Sequence, residues 1–399
     1  MAYIGSSLNV VSVNAGREAA SMAKRIVPDG EQVSWVLAFC SGRHDPDEFL
    51  NGIRTELGNV NIYGGSACGI ITNDMLSHSG YECGLAVFTT PAPVPVLIDD
   101  MESGEYSAGE KIALELNNLA EDGDTILIFF DQLKSVQPFR LYAGSSLLNG
   151  LYAGLKGKKI NVIGAGLVGD FKFYPSFLFS GSEVLEHSVI TLIIPGKLTV
   201  CSTTLMHGCI PVSSFMEITR MNGPVVYELD GRKATDVFLE MMGTENKSGE
   251  DVIIPYSITL GKKYGYRYAP YSEQSYVNSL IVDSNFEDGS IILFETDFQE
   301  GTMVQIMTRE NRIMLDSARK GTEELLASAG QPELALYIDC AGRTRDFSGS
   351  EIEEADVVRK IIGKEIPLLG FYSGMEIAPF QGRSRPLNWT GILTVFNNE

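Results

Sequence analysis

Apolar and polar residues follow one order of patterns that occurs three times along this chain. A short apolar run of strand length is followed by a middle segment, helical in spacing in the first and third repeats and weakly so in the second. A second apolar run then ends in glycines, and a further apolar run closes the unit. The opening strands are predicted at 35–40, 125–130 and 336–340, the glycine segments at Gly64, Gly164 and Gly370, and the closing strands at 84–88, 189–194 and 391–396. The units match in plan and not in length, which indicates an internal repeat.

Strands that alternate with helices predict layered sheets and helices, and the closing strand of each unit predicts mixed rather than purely parallel pairing. The predicted fold class is therefore α/β (or α+β), with mixed β-sheets layered with helices. Proline and glycine at Gly223-Pro224 precede a fresh strand and helix and indicate a boundary. The chain is expected to form two domains, 1–197 and 221–399, joined by a connecting segment at 198–220.

The second of these domains is predicted to contain antiparallel strands. Residues 290–294 and 302–307 are short apolar segments bounded by turn signals such as Glu287-Asp288-Gly289. Residues 307–328 then show the apolar spacing of a helix, which leads into the third repeat.

Charge excludes two classes of partner. The 399 residues include 51 acidic and 31 basic side chains, for a formal net charge of −20. A surface this negative repels phosphate backbones and anionic lipid headgroups, so we expect no nucleic-acid partner and no membrane partner. The apolar runs have strand length and the first residues lack the pattern of a secretory signal. Six scattered cysteines without a Cys-x-x-Cys pair are typical of a reducing compartment, so we expect a cytoplasmic protein and no bound metal.

Two motifs have simpler interpretations than the chemistry they suggest. The segment from Gly164 to Gly169 matches the dinucleotide-binding spacing, but the Pro-containing aromatic stretch 171–175 follows where a helix is required. The repeat instead indicates that these glycines are turn residues. Residues His44 to Glu48 resemble metal ligands, yet Asp45 before Pro46 is the arrangement that begins a helix, with Glu48 three positions after the cap.

A recurring Cys-x-Gly-Arg motif is the best candidate for ligand chemistry. It occurs at 40–43 and 340–343, and places Arg43 and Arg343 just beyond the ends of buried strands, where layered α/β folds bind ligands. The alternative is that each arginine pairs with a neighbouring acid. The third glycine segment adds Tyr372, Ser373 and Glu376, and the first adds Ser66. Arginine, glutamate and tyrosine together could hold an amino acid, the guanidinium on its carboxylate and the glutamate on its ammonium.

With these residues in view, the chain resembles the FIST family of sensory proteins, which combine an N-terminal and a C-terminal FIST domain. The resemblance rests on residues 62–69, 226–231 with Ala234, 339–343 and 370–379, and covers nearly the whole chain. It implies a sensor of small molecules such as amino acids. Some members are regarded as haem-based nitric-oxide sensors that regulate histidine kinases or cyclic-di-nucleotide enzymes. Here the signal would pass to a separate effector protein.

Two further hypotheses stay open at this stage, although we expect no catalytic activity and no cofactor. A hydrolase would use Ser66 or Cys68 as its nucleophile, or Cys40 or Cys340 at a strand end. The sequence around Ser66 and Cys68 lacks the last glycine of the nucleophile elbow, and Cys40 and Cys340 are explained as small buried residues that end core strands. A haem sensor would need an axial ligand, for which His78 and His187 are the candidates among the four histidines.

Overall fold

The computed structural model describes residues 1–243, 254, 257–295 and 297–398. Within them the α-helices are α1 (Ser12–Lys24), α2 (Pro46–Leu57), α3 (Glu105–Leu119), α4 (Gly144–Gly154), α5 (Ala234–Met241), α6 (Asn311–Ala329), α7 (Arg345–Ser348) and α8 (Glu354–Ile362). The first strands are β1 (Ala2–Ser7), β2 (Trp35–Cys40), β3 (Asn61–Ser66), β4 (Ile70–Thr72), β5 (Leu76–Ser77), β6 (Cys83–Phe88), β7 (Val94–Ile98), β8 (Thr125–Asp131), β9 (Leu133–Ser135), β10 (Arg140–Leu141), β11 (Asn161–Leu167), β12 (Leu178–Gly181), β13 (Glu183–Leu185) and β14 (Val189–Ile194). The later strands are β15 (Thr199–Met206), β16 (Cys209–Pro211), β17 (Met216–Asn222), β18 (Val225–Leu229), β19 (Arg232–Lys233), β20 (Ile258–Lys263), β21 (Tyr276–Asn285), β22 (Ser290–Leu293), β23 (Met303–Arg309), β24 (Leu334–Cys340), β25 (Leu368–Ser373), β26 (Met375–Phe380), β27 (Arg383–Leu387) and β28 (Gly391–Asn398).

Three sheets share one strand order, which confirms the mixed-sheet fold class. The orders are β1-β6-β2-β3-β12-β13, β7-β14-β8-β11-β26-β27 and β15-β28-β24-β25-β4-β5. In each sheet only the third and fourth strands are parallel, and every other neighbouring pair is antiparallel. Three units, 2–88, 94–194 and 199–398, therefore repeat one architecture, and each begins with a strand and helix before the predicted opening strand.

In each of these three sheets, the last two strands come from a different unit. The hairpin β4–β5 follows β3 in the chain but pairs with β25, the hairpin β12–β13 follows β11 but pairs with β3, and the hairpin β26–β27 follows β25 but pairs with β11. Each unit thus completes the sheet of another, and the three exchanges close a ring. No sheet is therefore complete without a hairpin from another unit.

The inner faces of the three sheets meet in one central core. Phe39, Phe129 and Phe371, one from each sheet, are fully buried. Their ring centroids lie 5.5 Å (Phe39 to Phe129), 4.0 Å (Phe39 to Phe371) and 6.2 Å (Phe129 to Phe371) apart. The outer faces pack on the helix pairs α1 with α2, α3 with α4, and α6 with α8. Asp45 caps α2 by accepting the backbone N–H of Glu48 at 2.9 Å, as predicted.

An antiparallel unit is inserted into the third repeat between β15 and α6. Its sheet runs β16-β23-β17-β18-β22-β21-β20, β23 also pairs with β20, and its own apolar core includes α5. The predicted antiparallel strands at 290–294 and 302–307 are confirmed by β22 and β23. The helix predicted from 307 was placed too early. Residues 307–309 stay in β23, where they pair with β16 and β20.

The predicted connecting segment, 198–220, contains β15, β16 and most of β17. Strand β15 pairs with β28 from Thr199 to Met206, so the first part of this segment is built into the third sheet. The division into domains 1–197 and 221–399 stays a prediction.

The repeated glycines lie inside strands, and their interpretation as turn residues was wrong. A Cβ atom at Gly64, Gly164 or Gly370 would lie 2.0, 1.7 or 2.6 Å from the carbonyl oxygen of the neighbouring strand, at Ala38, Ile128 and Tyr337 respectively. Only glycine permits such a close approach. After β11, residues 168–177 form turns and bends rather than the helix a dinucleotide would need.

Candidate functional site

Charged side chains gather at the carboxyl end of β24 in the third unit. The strand ends at Cys340, which is aligned in parallel register with Ser373 of β25, and a single 3-10 turn, Ala341–Arg343, follows. Asp339 and Arg343 are both buried here. The predicted location beyond the strand end is therefore occupied by charged groups held inside the protein.

Arg343 makes two ion pairs within its own unit. Its Nε lies 3.2 Å from Oδ1 of Asp339 and donates to Oε2 of Glu354 at 2.7 Å. Its Nη1 donates to the backbone carbonyl oxygens of His207 and Trp389 at 2.9 and 2.8 Å. Burial alone would lower the pKa of Arg343, but the carboxylates of Glu354 and Asp339 hold it well above its usual value. These contacts match the alternative stated for this residue, an arginine paired with neighbouring acids.

Three buried carboxyl groups share this region. Burial and the negative charge of Glu354 raise the pKa of Asp339 well above its ordinary value, and burial also raises the pKa of Glu354. Burial raises the pKa of Glu376 to about 8, although Ser373 Oγ donates to its Oε1 at 2.9 Å. Raised carboxyl pKa values of this kind are typical of functional sites.

Arg309 is the cation in this cluster whose hydrogen bonds are incomplete. It lies at the end of β23 and is 7% exposed. Its guanidinium carbon stands 4.1 Å from the ring centroid of Trp389, and Nη2 donates to the carbonyl oxygen of Ser348 at 3.2 Å. Among the described residues, Nε and Nη1 find no hydrogen-bond acceptor. Burial and the neighbouring Arg343 lower its pKa to about 10.

Other buried polar atoms around Arg309 are also without hydrogen-bond partners in the described part of the chain. They are both carboxylate oxygens of Asp339 and the indole Nε1 of Trp389, whereas Nη2 of Arg343 lies 2.5 Å from Oε1 of Glu354. Asp339 still has its ion pair with Arg343. Donors and acceptors left incomplete together mark a place where a polar molecule would bind.

Tyr372 and His78 are fixed at the side of this cluster. The Tyr372 hydroxyl donates to Oε1 of Glu353 at 2.7 Å, and His78 Nε2 lies 3.9 Å from Oε2 of the same carboxylate. The hydrogen bond with Glu353 raises the pKa of His78. The ring of His78 also meets Phe171 edge-on at 5.7 Å.

The structure places Arg343, Tyr372, Ser373 and Glu376 on the third unit but Arg43 and Ser66 on the first. Arg43 is exposed and lies over the Tyr81 ring at 5.3 Å. Ser66 is buried, and its Oγ accepts the backbone N–H of Phe177 at 3.2 Å.

The two Cys-x-Gly-Arg motifs are not structurally equivalent. Cys40 faces the helices of the first unit, together with Val36 and Ala38 of the same strand. In the third unit the residues that face the helices are Ala335 and Tyr337, so Asp339 rather than Cys340 continues that side. The motifs are one residue out of step, which explains why Arg343 is buried and Arg43 is exposed.

The residues of the two open hypotheses are engaged elsewhere. Burial raises the pKa of the Cys68 thiol well above its usual value, which disfavours the reactive thiolate. His187 lies 3.1 Å from the Tyr142 hydroxyl and 3.8 Å from Asp131. Within the described residues, histidine, cysteine and carboxylate side chains form no group of three placed to hold a metal ion.

Comparison with protein families gives two adjoining matches. Residues 34–232 match the model of the FIST N domain, and residues 234–379 match that of the FIST C domain. The chain belongs to the FIST family. FIST domains are small-ligand sensor domains of signal transduction. The FIST C match includes Arg309, Asp339, Arg343 and Glu376, whereas Trp389 lies beyond it.

Individual relatives of this FIST protein add little. "Uncharacterized protein MJ1623" of Methanocaldococcus jannaschii is 32% identical over 108 residues, which are 27% of this chain and 19% of that protein. The chain thus spans about a fifth of that relative's length. A crystal structure of cyanuic acid hydrolase from A. caulinodans matches 49% of this chain and 71% of its own at 12% identity, with a TM-score of 0.22. Nothing is inferred from that likeness. In the described residues of the FIST protein, no helix is long and apolar enough to cross a membrane.

We expect Glu376→Gln to reduce the loss of stability as pH rises. Below the ordinary glutamate value of 4.5, the carboxyl is protonated in both the folded and the unfolded chain. Between pH 4.5 and about 8 only the unfolded chain ionises, so the wild type loses stability on the order of 4 kcal/mol. Glutamine cannot ionise and still accepts the Ser373 hydrogen bond. Urea denaturation at pH 5 and pH 8.5 measures the difference.

The matched control for this experiment is Glu323→Gln, an exposed position on α6. It should leave the pH dependence of the free energy of unfolding as in the wild type. An unchanged pH dependence in Glu376→Gln would contradict the raised pKa.

Proposed function

We propose that this FIST protein is a cytoplasmic, non-enzymatic sensor that binds an amino-acid-like molecule in the charged cluster of its third unit. The observation that carries the proposal is the buried guanidinium of Arg309, whose Nε and Nη1 have no acceptor in the described part of the chain. Each of these N–H donors can form a charge-assisted hydrogen bond with a carboxylate oxygen. Arg309, rather than Arg343, would receive the ligand carboxylate.

The acids of the cluster would receive the ligand's ammonium group. Asp339 has a raised pKa and two oxygens without hydrogen-bond donors among the described residues, and Glu376 has a pKa of about 8. A cation brought near these groups favours their ionised forms, so the ligand supplies the positive charge that the site lacks. Arg343 would act as a positioning residue that holds Asp339 and Glu354.

Entry of a ligand would require movement of residues 347–352, the segment that contacts Arg309 through Ser348. Arg309 Nη2 is hydrogen-bonded to Ser348 O of this segment, and Phe347 and Ile352 on either side are about half exposed. Displacement of this segment on ligand binding would change the surface that a separate effector protein contacts. As the family resemblance implies, that effector would be a histidine kinase or a cyclic-di-nucleotide enzyme. The proposal uses no haem, because His78 and His187 each face a carboxylate instead.

A thermal-shift panel tests the class of ligand. The wild-type protein is heated with each of the twenty amino acids, and any amino acid that stabilises it is compared with its amine lacking the carboxylate and its acid lacking the amine. We expect at least one amino acid to raise the melting temperature and both partial analogues to lose most of the effect, because each leaves a buried charge unpaired. The proposal is overturned if no amino acid stabilises the protein at millimolar concentration, or if one partial analogue is as effective.

A further inference from the structure

A cavity of about 650 Å³ lies at the opposite end of the three-sheet core from the charged cluster. It opens between the amino ends of β2, β8 and β24. Leu37, Leu127 and Leu336, one from each of these strands, line it and are almost fully buried. They occupy corresponding inward positions, so the cavity lies where the three units meet. Its volume is within the range of small-molecule sites in proteins.

The wall of this cavity is largely apolar and includes one incomplete hydrogen-bond donor. Trp35 and Phe88 line it as a stacked pair with centroids 3.8 Å apart. Trp35 is 4% exposed, and its indole Nε1 has no acceptor among the described residues. A buried indole N–H normally has a partner, so a bound molecule that displaces the side chains around this atom would supply the acceptor it lacks.

The mouth of the cavity disfavours an anion. Its acidic side chains are Glu121, Asp124 and Glu333; Lys197 is paired with Glu121, and the amino-terminal ammonium of Met1 is paired with Glu333. Asp124 accepts the backbone N–H groups of Glu121 and Gly196 at 2.7 and 2.9 Å, so its charge is held in place. A carboxylate or phosphate entering here would meet this negative charge.

We propose that this cavity is a second ligand site, for an uncharged and mainly apolar molecule whose carbonyl or hydroxyl oxygen accepts a hydrogen bond from Trp35. This site is separate from the charged cluster and does not depend on the function proposed for it. Its ligand class also differs, because the charged cluster matches a zwitterion and this cavity matches an uncharged, mainly apolar molecule.

The test uses the uncharged fluorescent probe N-phenyl-1-naphthylamine and three ten-carbon competitors. We expect the wild-type protein to bind one probe per chain, and 2-decanone to displace it at lower concentration than decane or decanoate. Trp35→Phe should weaken 2-decanone about fivefold and leave decane unchanged, because only the ketone accepts the indole hydrogen bond.

Matched substitutions locate the probe. Ile194→Trp and Leu198→Trp add bulk at the cavity lining and should weaken the probe at least tenfold, whereas Leu114→Trp, at an exposed site on α3, should not. Circular dichroism checks the fold of each variant. The proposal is overturned if the wild type does not bind the probe, or if Ile194→Trp and Leu198→Trp bind it as tightly as the wild type does. It is also overturned if decanoate displaces the probe at lower concentration than 2-decanone. A doubled molecular mass by light scattering with the probe excluded would overturn it as well, since a second chain would then cover the cavity.

Discussion

Replacement of Arg343 by methionine should lower the free energy of unfolding by about 3–5 kcal/mol. The variant leaves the carboxylates of Asp339 and Glu354 buried without their cation, and it removes the hydrogen bonds to the carbonyl oxygens of His207 and Trp389. Methionine fills much of the same volume, so the lost charge dominates the effect. Urea denaturation at pH 7 measures the change.

Arg43→Met is the control for this prediction. Arg43 is exposed, and its replacement should change stability by no more than about 0.5 kcal/mol. The triple variant Arg343→Met, Asp339→Asn, Glu354→Gln should recover part of the loss, because no charge is then left unpaired. Equal stability of Arg343→Met and Arg43→Met would contradict the role assigned to these ion pairs.

Replacement of Arg309 by methionine should have the opposite combination of effects. Ligand affinity should fall by about a hundredfold or more, because a charge-assisted pair with the ligand carboxylate is lost in a desolvated site. Stability without ligand should stay the same or rise, because a buried guanidinium with incomplete hydrogen bonds costs free energy. Arg309→Lys keeps the charge but replaces the separate guanidinium donors with one ammonium group, so its affinity should lie between those of the wild type and Arg309→Met.

Arg343 is assigned a structural role and Arg309 a ligand-binding role. Denaturation with and without ligand, on both variants, measures both quantities in one experiment. Loss of stability in Arg309→Met with full ligand affinity would reverse the roles and remove the proposed carboxylate site.

Much of the fold could be predicted from local sequence pattern. The apolar runs at 35–40 and 189–194 and the helix cap at Asp45 lie where their spacing indicated. Each depends on residues close together in the chain. The exchange of hairpins could not be predicted in this way, because β4 pairs with β25 about 300 positions later and nothing in its own residues specifies that partner.

The candidate site was predicted only in part, for the same reason. Arg343, Ser373 and Glu376 stand near recognisable motifs, and the sequence placed them together. Arg309 and Trp389 lie on segments without a motif and meet only because β23 and the loop before β28 pack together in the folded chain. Whether Arg343 was paired or available depended on Glu354, whose position on α8 follows from the packing of the third unit. The sequence does place Arg309 at the end of an apolar strand. Other arginines also follow apolar strands, so this feature alone does not distinguish Arg309.

Calorimetric titration shows whether Arg309 binds the ligand carboxylate. The amino acid that gives the largest thermal shift is titrated into the wild type, Arg309→Met and Arg312→Met, the last being a control at an exposed side chain three residues away. We expect one site per chain in the wild type, affinity at least a hundredfold weaker in folded Arg309→Met, and unchanged affinity in Arg312→Met. Unchanged affinity in Arg309→Met would contradict this role of Arg309, and the ligand would then bind elsewhere than in the charged cluster of the third unit.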